Sequence, residues 1–283
     1  MKIIESVNEM HEYSLQLKQA GKTIGLIDTE GELHDGHMSL VKIAKDNVDV
    51  VVLNILHTVE YFECFSEEYE RLLELYERDF LEKDIELCKL NNVDVLFLPL
   101  MDDIYLNVPD IHLDLLPLNV QNFLDTLLVY RKFLLSVQEL YSIILPDVTV
   151  LGQKDGYLSF VFKSLIKQLG FPIKVVIAPI IRTSDGLAYS SRNRFLSDSE
   201  RQNATSVYQT LHEISRWSSY PSVAEIKEHI TDRIEYFGGI INYVDICCAE
   251  TLEELDSINK KFIIIISVFF GNIFLDDNII IDL

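Results

Sequence analysis

Asp28-Thr29-Glu30-Gly31-Glu32-Leu33-His34-Asp35-Gly36-His37 is the stretch whose reading decides the fold. The apolar run Thr23 to Ile27 before it reads as a buried strand, and Met38 to Asn47 after it reads as a helix. A strand, a glycine-containing turn and a helix N-terminus in succession turn backbone N–H groups and the positive end of the helix dipole toward an anion. His34 and His37 bracket Asp35-Gly36 at that end. An imidazole there donates to phosphate oxygens, and Gly36 lets the backbone come close. The spacing is His-x-Gly-His. Alone it leaves two readings open, a nucleotide phosphate site or two histidines in a polar turn.

Working outward, strands and helices alternate. Ser6-Val7-Asn8-Glu9 is a capping box that opens a helix to about Ala20, stopped by Gly21. Val48 to Leu56 is continuously apolar, as a parallel strand covered on both faces requires. Ser66 to Asn91 has a helical period, Val93 to Leu98 is a short strand ended by Pro99, and Val120 to Leu145 is again helical. Val148 to Leu151 and Ile173 to Ala178 read as strands on either side of a helix from Gly156 to Leu169. This alternation predicts a doubly wound, Rossmann-like α/β domain over residues 1–180, with its ligand outside the carboxyl ends of the strands, where Asp28 and Gly152 lie. The pattern then changes. Ser197-Asp198-Ser199-Glu200 is a second capping box, and Val223 to Tyr236 a further helix. Tyr243 to Cys248, Phe262 to Phe270 and Ile273 to Leu275 read as strands, with Gly271-Asn272 as a turn. Residues 181–283 are therefore expected to form a smaller α+β lid domain with an antiparallel sheet.

Composition narrows the function. The net charge of −21 argues against non-specific binding to nucleic acid or an anionic membrane, though a local cationic site can still hold ATP. The four cysteines, Cys64, Cys88, Cys247 and Cys248, show no CxxC spacing and read as buried free thiols. Met1 to Met10 carries Glu5 and Glu9 and lacks a signal-peptide core. The longest apolar run, Phe262 to Phe270, is too short to span a bilayer. A soluble, cytoplasmic protein is expected.

Two further clusters carry chemistry. Gly152-Gln153-Lys154-Asp155 sits between a strand and a helix, and Lys154 can reach phosphates as a point charge. The run from Arg182 to Leu196, between the two expected domains, places Ser190 and Ser191 beside Arg192, an anion-binding set. Separately, these are also readable as a surface lysine and a polar linker. Together with the histidine stretch, their order resembles the pantothenate synthetase family, ATP-dependent pantoate–β-alanine ligases of the nucleotidyltransferase group. The likeness covers nearly the whole chain. It includes Val93-Asp94-Val95-Leu96-Phe97, Leu145-Pro146-Asp147, Pro179-Ile180, Tyr243-Val244-Asp245 and Thr251-Leu252-Glu253-Glu254-Leu255. The family pattern Arg-x-x-Asp-Gly-Leu-Ala-x-Ser-Ser-Arg-Asn runs from Arg182 through Asn193.

The resemblance implies a two-step reaction. Pantoate attacks the α-phosphate of ATP to give pantoyl adenylate and pyrophosphate, and the amine of β-alanine then displaces AMP. It assigns His34 and His37 to the phosphates, Lys154 to the transferring phosphate and Arg192 with Ser190 and Ser191 to the phosphate tail. Glu30, Gly31, Gly36, Gly152, Gln153, Asp155 and Tyr189 complete the nucleotide site. Mg²⁺ accompanies ATP, and Asp84 matches the family's metal-binding aspartate when one residue is inserted after Tyr76-Glu77-Arg78. A homodimer is expected from the family.

The acid half of the site departs from the pattern. Asp28-Thr29-Glu30-Gly31 stands where the family has Pro-Thr-Met-Gly, so two carboxylates appear near an anionic substrate. Tyr61 and Leu158 stand where two glutamines hold pantoate. Each amide lost removes a hydrogen bond worth roughly 0.5–1.5 kcal/mol. The family's Arg-Pro-Gly-His-Phe-x-Gly stretch aligns with Thr126 to Lys132, where Tyr130 is the remnant. Three functions are compatible with this pattern: a pantoate–β-alanine ligase with an altered acid pocket, a related AMP-forming ligase for another acid or amine, and a nucleotide-binding paralogue without turnover. The kept phosphate motifs favour ATP-dependent carboxylate–amine ligation.

Overall fold

The computed structural model describes residues 1–56, 79–100, 103–104 and 137–283. They fall into two compact units. The first gathers the described residues of Met1–Leu115, Leu124–Leu151 and Phe162–Ala178; the second includes Gly152–Val161 and Pro179–Leu283.

The first unit is built on a six-stranded sheet of β1 (Lys2–Ile4), β2 (Ile24–Thr29), β3 (Val50–Ile55), β4 (Val95–Phe97), β5 (Val148–Gly152) and β6 (Lys174–Ala178), in the order β1-β4-β3-β2-β5-β6. The pairs β1/β4, β3/β4, β2/β3 and β2/β5 run parallel. The chain winds one way from β2 and the other way from β5, which puts the topological switch point at the carboxyl ends of these two strands. Helices α1 (Val7–Gln19), α2 (Asp35–Lys45) and α3 (Leu81–Leu90) lie between strands. The core contains Ile27, Val51, Leu53 and Leu96 from the sheet, with Met38, Val41 and Ala44 from α2.

Three aspartates set the strand register at the amino edge. Asp147 Oδ2 accepts from the Ile24 amide at 2.7 Å, Asp94 Oδ2 from Val51 at 2.9 Å, and Asp49 Oδ2 from Thr23 at 2.9 Å. Lys18 closes on Asp147 at 2.6 Å. A strand apolar on both faces has no alternation to fix its register, so these charged acceptors do it instead.

Differences from the sequence reading are local. β2 runs to Thr29, because Asp28 and Thr29 pair with Asn54 and Ile55 of β3. β1 was not anticipated; it is an edge strand that finds its partners on β4. Helix α2 begins at Asp35, ahead of the apolar run, because His34 caps it. Of the expected helix Ser66 to Asn91, only the part from residue 79 is described, and it contains α3. Of Val120 to Leu145, residues 137–144 are helical and 120–136 lie outside the described residues.

The second unit holds an antiparallel sheet of β7 (Ile240–Cys248), β8 (Phe262–Phe270) and β9 (Ile273–Ile281), in that order. The helix α4 (Tyr157–Gln168) begins in this unit, and α5 (Asp198–Ile214) and α6 (Val223–Tyr236) belong to it. Ile226, Ile230 and Ile234, at helical spacing on α6, pack with Leu211 and Ile214 of α5 against Ile264, Ile266 and Val268 of β8. Ser197 and Ser222 form complete capping boxes with Glu200 and Glu225. Strand β9 extends six residues beyond the expected Leu275, through Asp276, Asp277 and Asn278. Cys88, Cys247 and Cys248 are buried free thiols, and Cys64 lies outside the described residues. No helix among the described residues is long and apolar enough to cross a membrane.

Removing one register clamp tests its role. Asp147→Ala leaves the Ile24 amide without its charged acceptor and is expected to cost about 1.5–3 kcal/mol in urea unfolding. Asp49→Ala, at an exposed edge, is expected to cost less. Equal losses in the two variants would contradict this account.

Candidate active site

The histidine turn builds its geometry from backbone donors. Gly31 has φ +86, and Glu32 follows in the left-handed region at φ 49, reversing the chain after β2. The Leu33 amide donates to Asp84 Oδ1 at 2.8 Å, tying the turn to α3. His34 is the N-cap of α2: its Nδ1 accepts from the Gly36 amide at 3.1 Å, and the His34 amide donates to His37 Nδ1 at 3.3 Å. The two imidazoles thus form a reciprocal capping box, and their rings stack with centroids 4.0 Å apart. With Nδ1 of both rings accepting a backbone N–H, the neutral rings carry their proton on Nε2. Two Nε2–H donors and a helix N-terminus in one place form an anion-binding arrangement.

Behind this turn, Asn54 of β3 is fully buried and donates from Nδ2 to Asp28 Oδ1 at 2.6 Å. Burial pushes the half-buried Asp28 carboxyl up to about 6, against the pull of hydrogen bonds from Asn54 and the Thr29 amide. Asn54 Oδ1 is buried with no hydrogen-bond partner among the described residues. An unpaired buried acceptor costs about 1–3 kcal/mol.

In the second unit, β5 ends at Gly152 and a 3-10 turn of Gln153–Asp155 follows. Asn278 of β9 clasps this turn. Its Nδ2 donates to the carbonyls of Gln153 and Lys154 at 2.8 and 3.2 Å, and Gln153 Nε2 donates back to Asn278 Oδ1 at 3.0 Å. Gly156 leaves the turn at φ +42, where a Cβ would touch Ile265 at 3.4 Å. The 182–193 run folds into a small hairpin, with the Tyr189 amide donating to Ile181 O and the Thr183 amide to Leu187 O. Arg182 pins the hairpin: its guanidinium donates to Asp277 at 2.6 and 2.9 Å and lies 4.4 Å over the Tyr208 ring. Gly186, at φ +97, is required there, since a Cβ would lie 2.4 Å from Tyr208. Ser190 caps the 3-10 turn Ser191–Phe195, its Oγ accepting from the Arg192 amide at 3.3 Å. Lys154, Ala188, Ser190, Asn193, Leu275 and Asp276 line one small cavity. Arg192 Nη1 stands 3.7 Å from Asp276. Burial raises the Asp276 pKa, and Lys154 and Arg192 pull it back.

The comparisons follow this geometry. The family model for pantoate-beta-alanine ligase matches residues 2–280. The chain belongs to the pantoate–β-alanine ligase family. The chain is 36% identical over 286 residues to the pantothenate synthetase of Thermotoga petrophila, covering 99% of both chains. It is 34% identical to that of a Sulfurihydrogenibium species, again over 99% of each. Among solved structures, pantothenate synthetase from Thermus thermophilus superposes with a TM-score of 0.84 at 26% identity and 99% coverage of both chains. Pantoate-beta-alanine ligase from Francisella tularensis, solved with beta-gamma ATP and beta-alanine, gives 0.75 at 27% identity, covering 99% of this chain and 97% of that one.

For a chain of the pantoate–β-alanine ligase family, the expected site residues divide as follows. Glu30, Gly31, His34, Gly36, His37 and Asp84 gather around one turn of the first unit. Gly152, Gln153, Lys154, Asp155, Tyr189, Ser190, Ser191 and Arg192 lie on two turns of the second, and Leu158 is in the first turn of α4. The Gln153 side chain is occupied by Asn278, and Asp84 holds the Leu33 amide. Tyr61 and Tyr130 lie outside the described residues. Sequence reading missed Asn54, Asp276, Asp277 and Asn278. The signal for the last three was the unusual polar triplet inside an otherwise apolar C-terminal run; Asn54 was a lone amide in an apolar strand.

The Asp28 pair makes stability depend on pH. The folded value near 6 lies above the unfolded value near 3.9, so the folded state holds this proton more tightly. That contribution is complete below about pH 4 and lost as pH rises through 6. Asp28→Asn is therefore expected to stabilise the protein by about 1–3 kcal/mol at pH 7.5, the lower figure allowing for solvent access. The gain should vanish at pH 4. Urea unfolding at both pH values decides it, and an equal difference at each would refute the assignment.

Proposed function

We propose that this protein is a pantoate–β-alanine ligase that spends ATP, in two steps, to join an acid to an amine. The observation that carries the reading is the reciprocal cap of His34 and His37, which sets two imidazole N–H donors at a helix N-terminus in a chain of this family. In the first step a carboxylate oxygen of pantoate bonds to the α-phosphorus, and the bond to pyrophosphate breaks. In the second, the β-alanine nitrogen bonds to the acyl carbon, AMP leaves with the electron pair, and the nitrogen loses a proton.

Each residue has a role in this reading. His34 and His37 donate to phosphate oxygens as charge builds on them, a preorganised contribution that costs no rearrangement. Lys154 stabilises charge on the transferring phosphate, Arg192 neutralises the phosphate tail, and the Ser190 and Ser191 hydroxyls add donors. Lys154 and Arg192 now face Asp276, so the nucleotide meets cations whose internal counter-ion is a carboxylate held above its ordinary pKa.

Magnesium accompanies the nucleotide. Among the described residues no three His, Cys, Asp or Glu side chains cluster as a cation site. Asp84 would be the carboxylate that helps hold it, and bound Mg²⁺ would offset charge on the phosphates. A homodimer in the cytoplasm belongs to the same reading.

AMP formation with ATP, pantoate and β-alanine tests it. Without β-alanine, one equivalent of pyrophosphate per active site should appear. His37→Ala is expected to slow adenylation by about 10²–10³-fold, the loss typical of one charge-stabilising donor. Asp84→Asn keeps an acceptor for Leu33 while losing the charge, so it should raise the Mg²⁺ concentration needed for half-maximal rate. Absence of pantoate-dependent pyrophosphate release would refute the function.

A further inference from the structure

Asp28 takes no part in the phosphate chemistry above, and the fold alone does not require it. It stands at the carboxyl end of β2, beside the switch point of the sheet and two residues before the Glu30–His37 turn begins to coil into α2. It is half-buried, and one side of its carboxylate is fastened by Asn54 Nδ2 at 2.6 Å. Asn54 is its register partner on β3, wholly buried, with its own Oδ1 unpaired among the described residues. No cation faces Asp28 among the described residues. The titratable side chain brought near it is Tyr141, hydrogen-bonded to Thr149. A carboxylate held by two neutral donors, Asn54 and the Thr29 amide, and a buried amide oxygen without a partner among the described residues, both at the ligand end of a parallel sheet, are costs that the core does not explain, and such local conflicts collect at functional sites.

We propose that the Asp28 carboxylate, aimed by Asn54, accepts a hydrogen bond from a hydroxyl of the acid substrate and thereby selects the acid. The proposal rests on the ligase reading and deepens it. Pantoate is a carboxylate at one end with hydroxyls along the rest. Its carboxylate attacks the α-phosphate and so belongs with the histidines. Its hydroxyls are donors that need acceptors. A carboxylate at their end accepts from a hydroxyl and repels a second carboxylate, so it favours hydroxy acids over diacids of the same length. Asp28 thus attracts the substrate's far end rather than opposing the substrate as a whole. Asn54 is a positioning residue, acting through Asp28.

The test measures pyrophosphate release at saturating ATP, with pantoate and with an analogue lacking its terminal hydroxyl. The unaltered protein is compared with Asp28→Asn, Asp28→Ala and Asn54→Ala, and ATP affinity by calorimetry checks that each variant is folded. In the unaltered protein, loss of the hydroxyl should raise KM about 10- to 100-fold, the range for one hydrogen bond to a charged group. In Asp28→Ala the two substrates should give the same KM, and in Asn54→Ala the discrimination should shrink. A hydroxyl penalty of the same size in Asp28→Ala would overturn the proposal. So would no penalty in the unaltered protein, a result that depends on no variant folding. No turnover of pantoate at all would overturn the ligase reading and this proposal together; turnover without hydroxyl discrimination would overturn this proposal alone.

Discussion

Charged acceptors at the amino edge of the parallel sheet are what the rest of the first unit depends on. Buried parallel strands carry apolar side chains on both faces, so sliding one residue costs little in burial. Asp49, Asp94 and Asp147 remove that freedom by each taking an amide at the start of a neighbouring strand. Register set at one end propagates along the ladder and decides which residues stand level at the other. Asp28 sits opposite Asn54 and Thr29 opposite Ile55 for that reason. The position from which the Glu30–His37 turn departs is set by three side chains at the far edge of the sheet.

The turns that carry the candidate site residues rest on hydrogen bonds and ion pairs made inside each unit. His34 and His37 hold each other through backbone N–H groups, Asn278 holds the Gln153–Asp155 turn, and Asp277 with Tyr208 holds Arg182. The family's most extended motif, from Arg182 to Asn193, accordingly mixes two functions. Arg182, Gly186 and Asn193 shape the hairpin, and Ser190 through Arg192 present donors from it. A motif read as a row of ligand contacts is half scaffold.

Much of this was legible in the sequence. The alternation of apolar strands with capped helices carried the parallel sheet, because burial on both faces leaves a continuous apolar run and a Ser-x-x-Glu start is a local signal. Phe262–Phe270 was read to the residue for the same reason. Strand β9 was cut short at Leu275 because Asp276, Asp277 and Asn278 look like a turn. Their polarity is spent on long-range partners, Arg192, Arg182 and the Gln153 turn, which no local pattern reveals. Asp28 was read as a terminal turn residue opposing an anion; pairing with Asn54, twenty-six positions on, makes it a strand residue with a fixed direction. Gln153 was assigned to the nucleotide, and its amide is engaged by Asn278. The legible part is what neighbours in sequence decide, and the rest is cross-strand pairing.

The clasp between Gln153 and Asn278 is made of two neutral amides, whereas Arg192 meets Asp276 as a partly exposed pair of opposite charges. Dissolved ions act on these two supports unequally. Screening weakens an exposed charge pair and leaves an amide–amide bond nearly untouched. Rising ionic strength therefore weakens the hold of Asp276 on both Arg192 and Lys154, while the turn that carries Lys154 keeps its shape. The two cations assigned to the phosphates thus share a counter-ion whose hold the medium tunes, and the backbone beneath Lys154 is set by the fold.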